Sequence, residues 1–161
     1  TEYGGYITYL SIAEKIESLL PGITFKKDFI FTAPRTRHCN AEKNNCGDLV
    51  RMLLDYEPFE ESFRTVIPYK SCVHRSHLEF QISNPPIGER PSILTRCAGK
   101  QFQAVVFRDS FFTVLEPYFS ENFGQIVYLW KPYDQQNMEE ILRIFKPDIV
   151  VEEVIERNLF F

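Results

Sequence analysis

The apolar positions of this chain change period along its length, and each change marks a different kind of element. Over residues 3–20, Tyr6, Tyr9, Leu10, Ala13, Ile16, Leu19 and Leu20 recur at helical spacing, and Pro21-Gly22 ends the pattern. Residues 23–31 alternate around Phe25, Phe29 and Phe31, which is the period of a strand. A polar stretch over 36–45 breaks periodicity and reads as a loop. Asp48 then precedes Leu49, Val50, Met52, Leu53 and Leu54, the pattern of a short capped helix, and residues 65–69 are β-prone. The region 70–100 holds Asn84-Pro85-Pro86, Gly88 and Pro91, so loops around short strands such as 78–82 are expected. From Gln103 onward the order is regular: strand 104–107, helix 111–122, strand 125–130, helix 135–145 and strand 148–154. Near-continuous apolar strands separated by helices predict a parallel sheet covered on both faces, whose ligands bind beyond the carboxyl ends of the strands.

Composition narrows the class. With 161 residues, 44% hydrophobic and 15% aromatic, the chain can bury the core of one domain. The formal charge is −4 with acidic residues spread throughout, so no basic stripe points to nucleic acid or an anionic membrane surface. No apolar run approaches the roughly 18 residues of a membrane span, and no internal repeat is visible. The chain starts at Thr1 and its first methionine is Met52, so a longer parent protein is expected, with any export signal upstream. Cys39, Cys46, Cys72 and Cys97 are compatible with two disulfides, but their spacing does not pair them. With His74 and His77 they offer zinc-type ligands. The wide Cys39 to Cys46 interval and the absence of any Cys-x-x-Cys argue against zinc, and no metal is expected.

The candidate chemistry centres on Ser110. The apolar run 104–107 passes through Arg108-Asp109 into Ser110 and then into Phe111 and Phe112. A serine at such a turn stands above the carboxyl end of a buried strand. The helix start behind it offers backbone N–H groups, that of Ser110 among them, to a developing oxyanion. The plainer alternative is that Asp109 or Ser110 simply N-caps the helix. A serine nucleophile needs a base, normally a histidine oriented by a carboxylate. His38, His74 and His77 all precede Ser110, and none is assigned that role. Arg108 is placed either to meet a ligand carboxylate or to support the turn. Tyr128, Trp130 and Tyr133 end or follow a strand on the same side, where their rings can stack on a sugar or pack internally. Glu152, Glu153, Glu156 and Arg157 follow the last strand; they either order the site through an Arg-carboxylate pair or form a solvated face.

Several stretches carry a family resemblance. They are Phe107-Arg108-Asp109-Ser110-Phe111, Leu115-Glu116-Pro117-Tyr118-Phe119-Ser120-Glu121-Asn122-Phe123, Val127-Tyr128-Leu129-Trp130, Gly47-Asp48-Leu49-Val50-Arg51-Met52-Leu53, and the segment from Lys146-Pro147-Asp148 to Glu156-Arg157-Asn158-Leu159. Together they resemble the SGNH-hydrolase-like domain of bacterial alginate O-acetyltransferases. The resemblance is weakest between Tyr56 and Lys100. It implies a single three-layer α/β/α, flavodoxin-like domain over 1–161 with a mostly parallel sheet, N-terminally truncated.

The same resemblance implies a function. Ser110 would accept an acetyl group and pass it to a polysaccharide hydroxyl. The base would be the histidine of an Asp-x-His-Trp motif ahead of a segment like Thr1-Glu2-Tyr3-Gly4-Gly5-Tyr6. Ordinary GDSL-type hydrolases instead place an Asp-x-x-His pair after the serine, an order this chain does not follow. The catalytic Asp and His are thus expected just before Thr1, and the chain by itself is expected to turn over little. Arg108, Trp130, Tyr133 and Arg157 are the substrate-binding candidates. The implied partners are a polysaccharide acceptor and an acetyl donor, with a membrane acetyl-transfer protein as one source; the implied location is periplasmic or cell-surface, and no cofactor is needed. An acetyl esterase is the enzymatic alternative. A non-catalytic glycan-binding or scaffold module of exopolysaccharide assembly is the other.

Overall fold

The computed structural model describes residues 2–39, 59–77, 92–133 and 135–154. Helix α1 (Glu2–Leu19) forms where the spacing predicts it and turns Gly5, Tyr9, Ala13 and Ile16 inward. Gly5 lets α1 approach closely, since a Cβ there would sit 2.9 Å from Val114 Cγ2.

Residues 23–31 are extended but build no strand ladder. Phe25 N donates to Glu17 Oε1 at 2.7 Å and Lys26 N to Asn122 Oδ1 at 2.6 Å. The Tyr6 and Tyr9 hydroxyls donate to the carbonyls of Lys27 and Lys26 at 2.5 and 2.6 Å. Side chains therefore satisfy backbone groups that a neighbouring strand would otherwise hold. The alternation is real in its other consequence: Ile23, Phe25 and Phe29 are buried. The strand expected over 65–69 reduces to one bridge, Phe31 to Val66.

The loop expected over 36–45 is corrected over its first part by strand β1 (Arg35–Cys39), which pairs antiparallel with β2 (Phe59–Phe63). A hydrophobic pattern could not reveal β1, because opposite charges stabilise this pair. Arg37 meets Glu61 at 2.5 Å and His38 lies 3.6 Å from Glu60. The rest of that loop, the helix after Asp48, the Gly47-Asp48-Leu49 segment and the strand 78–82 lie outside the described residues.

Strands β3 (Val73–His77), β4 (Ile93–Cys97), β5 (Gln103–Phe107), β6 (Gln125–Leu129) and β7 (Ile149–Glu152) form one sheet in the order β3-β4-β6-β5-β7. Strand β5 runs parallel to β6 and β7, while β4 is antiparallel to both β6 and β3. The expected mostly parallel, three-layer flavodoxin-like sheet is therefore not what forms: the sheet is mixed, and a separate two-stranded sheet stands beside it. The reason is connection length. Strands that run parallel in one sheet need a crossover of a dozen or more residues between them. Only residues 98–102 separate β4 from β5, so β4 runs opposite to β5 and to β6 between them. The chain turns back there under Gly124, where a Cβ would come within 2.4 Å of the Lys100 carbonyl oxygen.

After β5 the chain makes a 3-10 turn (Phe111–Val114) and then helix α2 (Glu116–Ser120), so the single helix expected over 111–122 is broken at Leu115. Helix α3 (Gln135–Phe145) joins β6 to β7. On one sheet face Ile93, Ala104, Val106, Ile126 and Tyr128 pack with Tyr9, Phe112, Phe119 and Phe123. On the other, Leu94, Val105, Phe107, Val127 and Leu129 pack with Met138 and Ile141 of α3. Each such side chain contributes about 1.5–3 kcal/mol on leaving water. A disulfide between Cys72 and Cys97 closes the start of β3 onto the end of β4. Cys46 and the side chain of Cys39 lie outside the described residues.

Candidate serine site

Strand β5 is carried into the core by Val105, Val106 and Phe107, all 0% exposed, and its carboxyl end is clamped from both sides. Arg108 N donates to Leu129 O and Glu153 N to Phe107 O, each at 2.9 Å. Ser110 emerges beyond this clamp, exposed, with φ −68° and ψ −24°. The turn is held by Asp109, whose Oδ1 accepts from Phe111 N at 2.7 Å. Asp109 rather than Ser110 is thus the side chain that caps, and Ser110 makes no capping bond. Among the described residues neither Ser110 Oγ nor Ser110 N–H has a hydrogen-bond partner. Both are open to solvent.

The carboxylates at the end of β7 bind backbone, Glu153 at the same turn and Glu152 after β6. Glu153 Oε2 accepts from Asp109 N at 3.0 Å, and Glu152 Oε1 accepts from Tyr133 N at 2.8 Å. Burial pushes the Glu153 carboxyl above its ordinary range; its bond to the Asp109 backbone opposes the rise, and the neighbouring Asp109 carboxylate adds to it. Glu156 and Arg157 lie outside the described residues.

Arg108 points inward. Only 5% exposed, it donates from Nη1 to Thr113 Oγ1 at 3.0 Å and to Asp109 O at 3.3 Å, and its Nη2 lies 3.3 Å from Glu116 Oε2. Its guanidinium also stands 4.6 Å from the Trp130 ring centroid. Trp130 is half-buried in this contact, whereas Tyr133 is 45% exposed and packs edge-on against Phe107 at 5.7 Å. Glu116, 4% exposed, also receives Arg75 Nη1 from strand β3 at 2.6 Å. Two guanidinium groups around one carboxylate, one of them on the half-exposed Arg75, make the burial of Glu116 and Arg108 tolerable. Glu116 was not among the sequence candidates. The only signal for it was a charged residue inside the otherwise apolar run 111–119.

Beneath this cluster Tyr128 is fully buried and shares a 2.8 Å hydrogen bond with Ser120; burial drives its phenol well above the ordinary value. No described histidine adjoins Ser110 in the sheet. His77 pairs with Ile93, Ile93 with Tyr128, and Tyr128 with Val106, which puts β3 three strand spacings, about 14 Å, from β5. His38 is held on the small sheet near Glu60. No cluster of three or more His, Cys, Asp or Glu side chains able to hold a metal occurs among the described residues.

Fold and site together define a mixed-sheet domain that presents an exposed serine at the carboxyl edge of a buried parallel strand. Among solved structures, Bacillus cereus PatB1 is similar, with a TM-score of 0.62 and 13% identity over 99% of this chain and 60% of that one. PatB1 with a sulfonyl adduct gives 0.61 and 14% identity, over 99% and 58%. A DHHW family protein from Eubacterium siraeum DSM 15702 gives 0.49 and 12% identity, over 94% and 55%. At such identity the likeness to PatB1 shows the fold, and the chain spans 58–60% of PatB1's length. No protein-family model and no curated protein matches the sequence. No described helix is long and apolar enough to cross a membrane.

Proposed function

We propose that Ser110 is the acetyl-carrying nucleophile of a polysaccharide O-acetyltransferase or of the corresponding acetyl esterase. The observation that carries this reading is the serine's placement: exposed, without a partner among the described residues, and beside a turn that Asp109 and Glu153 hold rigid. The hydroxyl gives its proton to the base and attacks an acetyl carbonyl, and the oxyanion accepts a hydrogen bond from the Ser110 N–H. Collapse breaks the acyl bond to the donor's leaving group, which takes the proton from the base. A sugar hydroxyl or water then displaces the acetyl group and returns the serine hydroxyl. A sulfonyl adduct, as in the PatB1 structure of similar fold, is a product that activated hydroxyl nucleophiles form.

The base of this reading is a histidine preceding Thr1. Its feasibility rests on where α1 starts: Tyr118 OH donates to Glu2 O at 3.2 Å, and Gly5 packs on Val114. The N-terminal end of α1 therefore lies against the two elements that directly follow Ser110, and this reading has the residues ahead of it supply the base. The proposed location at the cell surface or in the periplasm, and the polysaccharide acceptor, come with the family resemblance.

The test is sulfonyl-fluoride labelling and acetyl-ester hydrolysis on the chain extended upstream by its natural residues. Rapid labelling of Ser110 and hydrolysis abolished by Ser110→Ala are expected, with the 1–161 chain slower by about three orders of magnitude or more for want of the base. An extended chain with no faster labelling than 1–161 would remove the catalytic reading and leave a glycan-binding or scaffold module.

A further inference from the structure

A cavity of about 320 Å³ opens on the α1 side of the sheet. Its walls are Pro68, Val73, Pro117 and the ring of Tyr69, and its polar lining includes Arg75, Thr95 and Glu116 beside two serines. Two observations show that this space is more than a packing gap. Thr95 is 2% exposed and its hydroxyl has no hydrogen-bond partner among the described residues, a state that is costly unless something else binds there. Arg75, beside it on β3, gives Nη1 to Glu116 and keeps 57% of its side chain exposed, so its guanidinium has donors left for a ligand.

Charge decides the ligand's sign. The lining itself holds one cation and one carboxylate, Arg75 and Glu116, and the next charges out are Arg108 on Glu116, Lys26 over the Tyr69 ring at 4.1 Å, and Glu121, 4.0 Å from Lys26. Three positive charges against two negative ones favour one further anion. A planar guanidinium fork suits a carboxylate best among small organic anions that also need an apolar body. Size decides the rest, because a bare ion would leave most of the volume empty and its apolar walls wet.

We propose that this cavity binds a small organic carboxylate with a compact body about the size of one six-membered ring. The carboxylate lies on Arg75, the Thr95 hydroxyl donates to it, and the body fills the space between Tyr69, Pro68, Val73 and Pro117. The site is independent of the acyl chemistry assigned to Ser110. It shares Glu116 with Arg108, and through Arg108 it touches the serine turn.

The test is an amide-resolved NMR titration of the full chain with cyclohexanecarboxylate, with neutral cyclohexanemethanol as control. Saturable shifts at Thr95 and Arg75 are expected with the carboxylate and not with the alcohol. Thr95→Val should weaken binding about fivefold and Arg75→Gln, which keeps a donor to Glu116, about tenfold or more. Ser110→Ala should bind as the parent chain does, so a failed acyl-transfer test leaves this result standing. Absence of saturable shifts, equal response to the alcohol, or unchanged affinity in both cavity variants would overturn the proposal.

Discussion

The two sides of the main sheet are built on different principles. Strands β5 and β6 bury four of their five residues each and are joined by the 3-10 turn and helix α2, so dispersion and water exclusion hold them. Strand β3 at the other edge is exposed along nearly its whole length and is held by the Cys72–Cys97 disulfide and by Arg75 on Glu116. The strands of one side are therefore held without charge or disulfide, and the edge strand of the other depends on both. Glu116 joins them, because Arg75 comes from β3 and Arg108 from the end of β5. The serine turn rests on the apolar side and the cavity on the charged side, and that carboxylate connects the two.

Three perturbations sharpen this contrast. Glu116→Ala strands Arg108 as a buried cation and releases Arg75, so a loss of about 3–5 kcal/mol in denaturant unfolding is expected, the largest of the three. A loss under about 1 kcal/mol would mean that the two sides are not coupled through it. Reducing the disulfide, or replacing Cys72 and Cys97 by serine, opens a loop of sequence separation 25, which chain entropy values at about 3 kcal/mol. Hydrogen exchange should then accelerate first in β3 and β4 while β5 keeps its protection.

The smallest effect concerns pH. The folded state raises the Glu153 carboxyl above its ordinary value of 4.5 and so favours its protonated form. That contribution to stability is complete below about 4.5 and is lost as pH rises through the raised value. Glu153→Gln retains an oxygen for Asp109 N and cannot ionise, so it should match the parent at pH 4 and become the more stable of the two as pH rises. Parallel melting curves across that range would show that the folded state does not raise the Glu153 carboxyl.

The legible elements were those whose pattern is local. Helix α1, strands β5 to β7 and helix α3 follow from periods of 3.6 and from continuous apolar runs. The misread ones had their partners elsewhere. Residues 23–31 alternate as a strand does, yet Asn122 and Glu17 took the place of a neighbouring strand. Strand β1 is polar because its partner Glu61 supplies the pairing energy. In the site, Ser110 and the acidic residues after β7 were visible as candidates, but the sequence could not say that Glu152 and Glu153 would bind backbone N–H groups rather than a guanidinium. Glu116, Thr95 and Arg75 carry no motif, and only the register of β3 on β4 brings the last two side by side.

By itself, then, the sequence determined the order of elements from Gln103 onward, the apolar faces that make the core, and the exposed serine after a buried strand. These depend on spacing and on transfer from water, which act along a few consecutive residues. The tertiary structure alone decided the mixed direction of the sheet, the pairing of Cys72 with Cys97, the inward turn of Arg108 onto Glu116, and the cavity above Thr95. Each of those depends on groups far apart in the chain meeting in a low-dielectric interior, where an unpaired charge or hydroxyl is costly and its partner is chosen by geometry rather than by proximity in sequence.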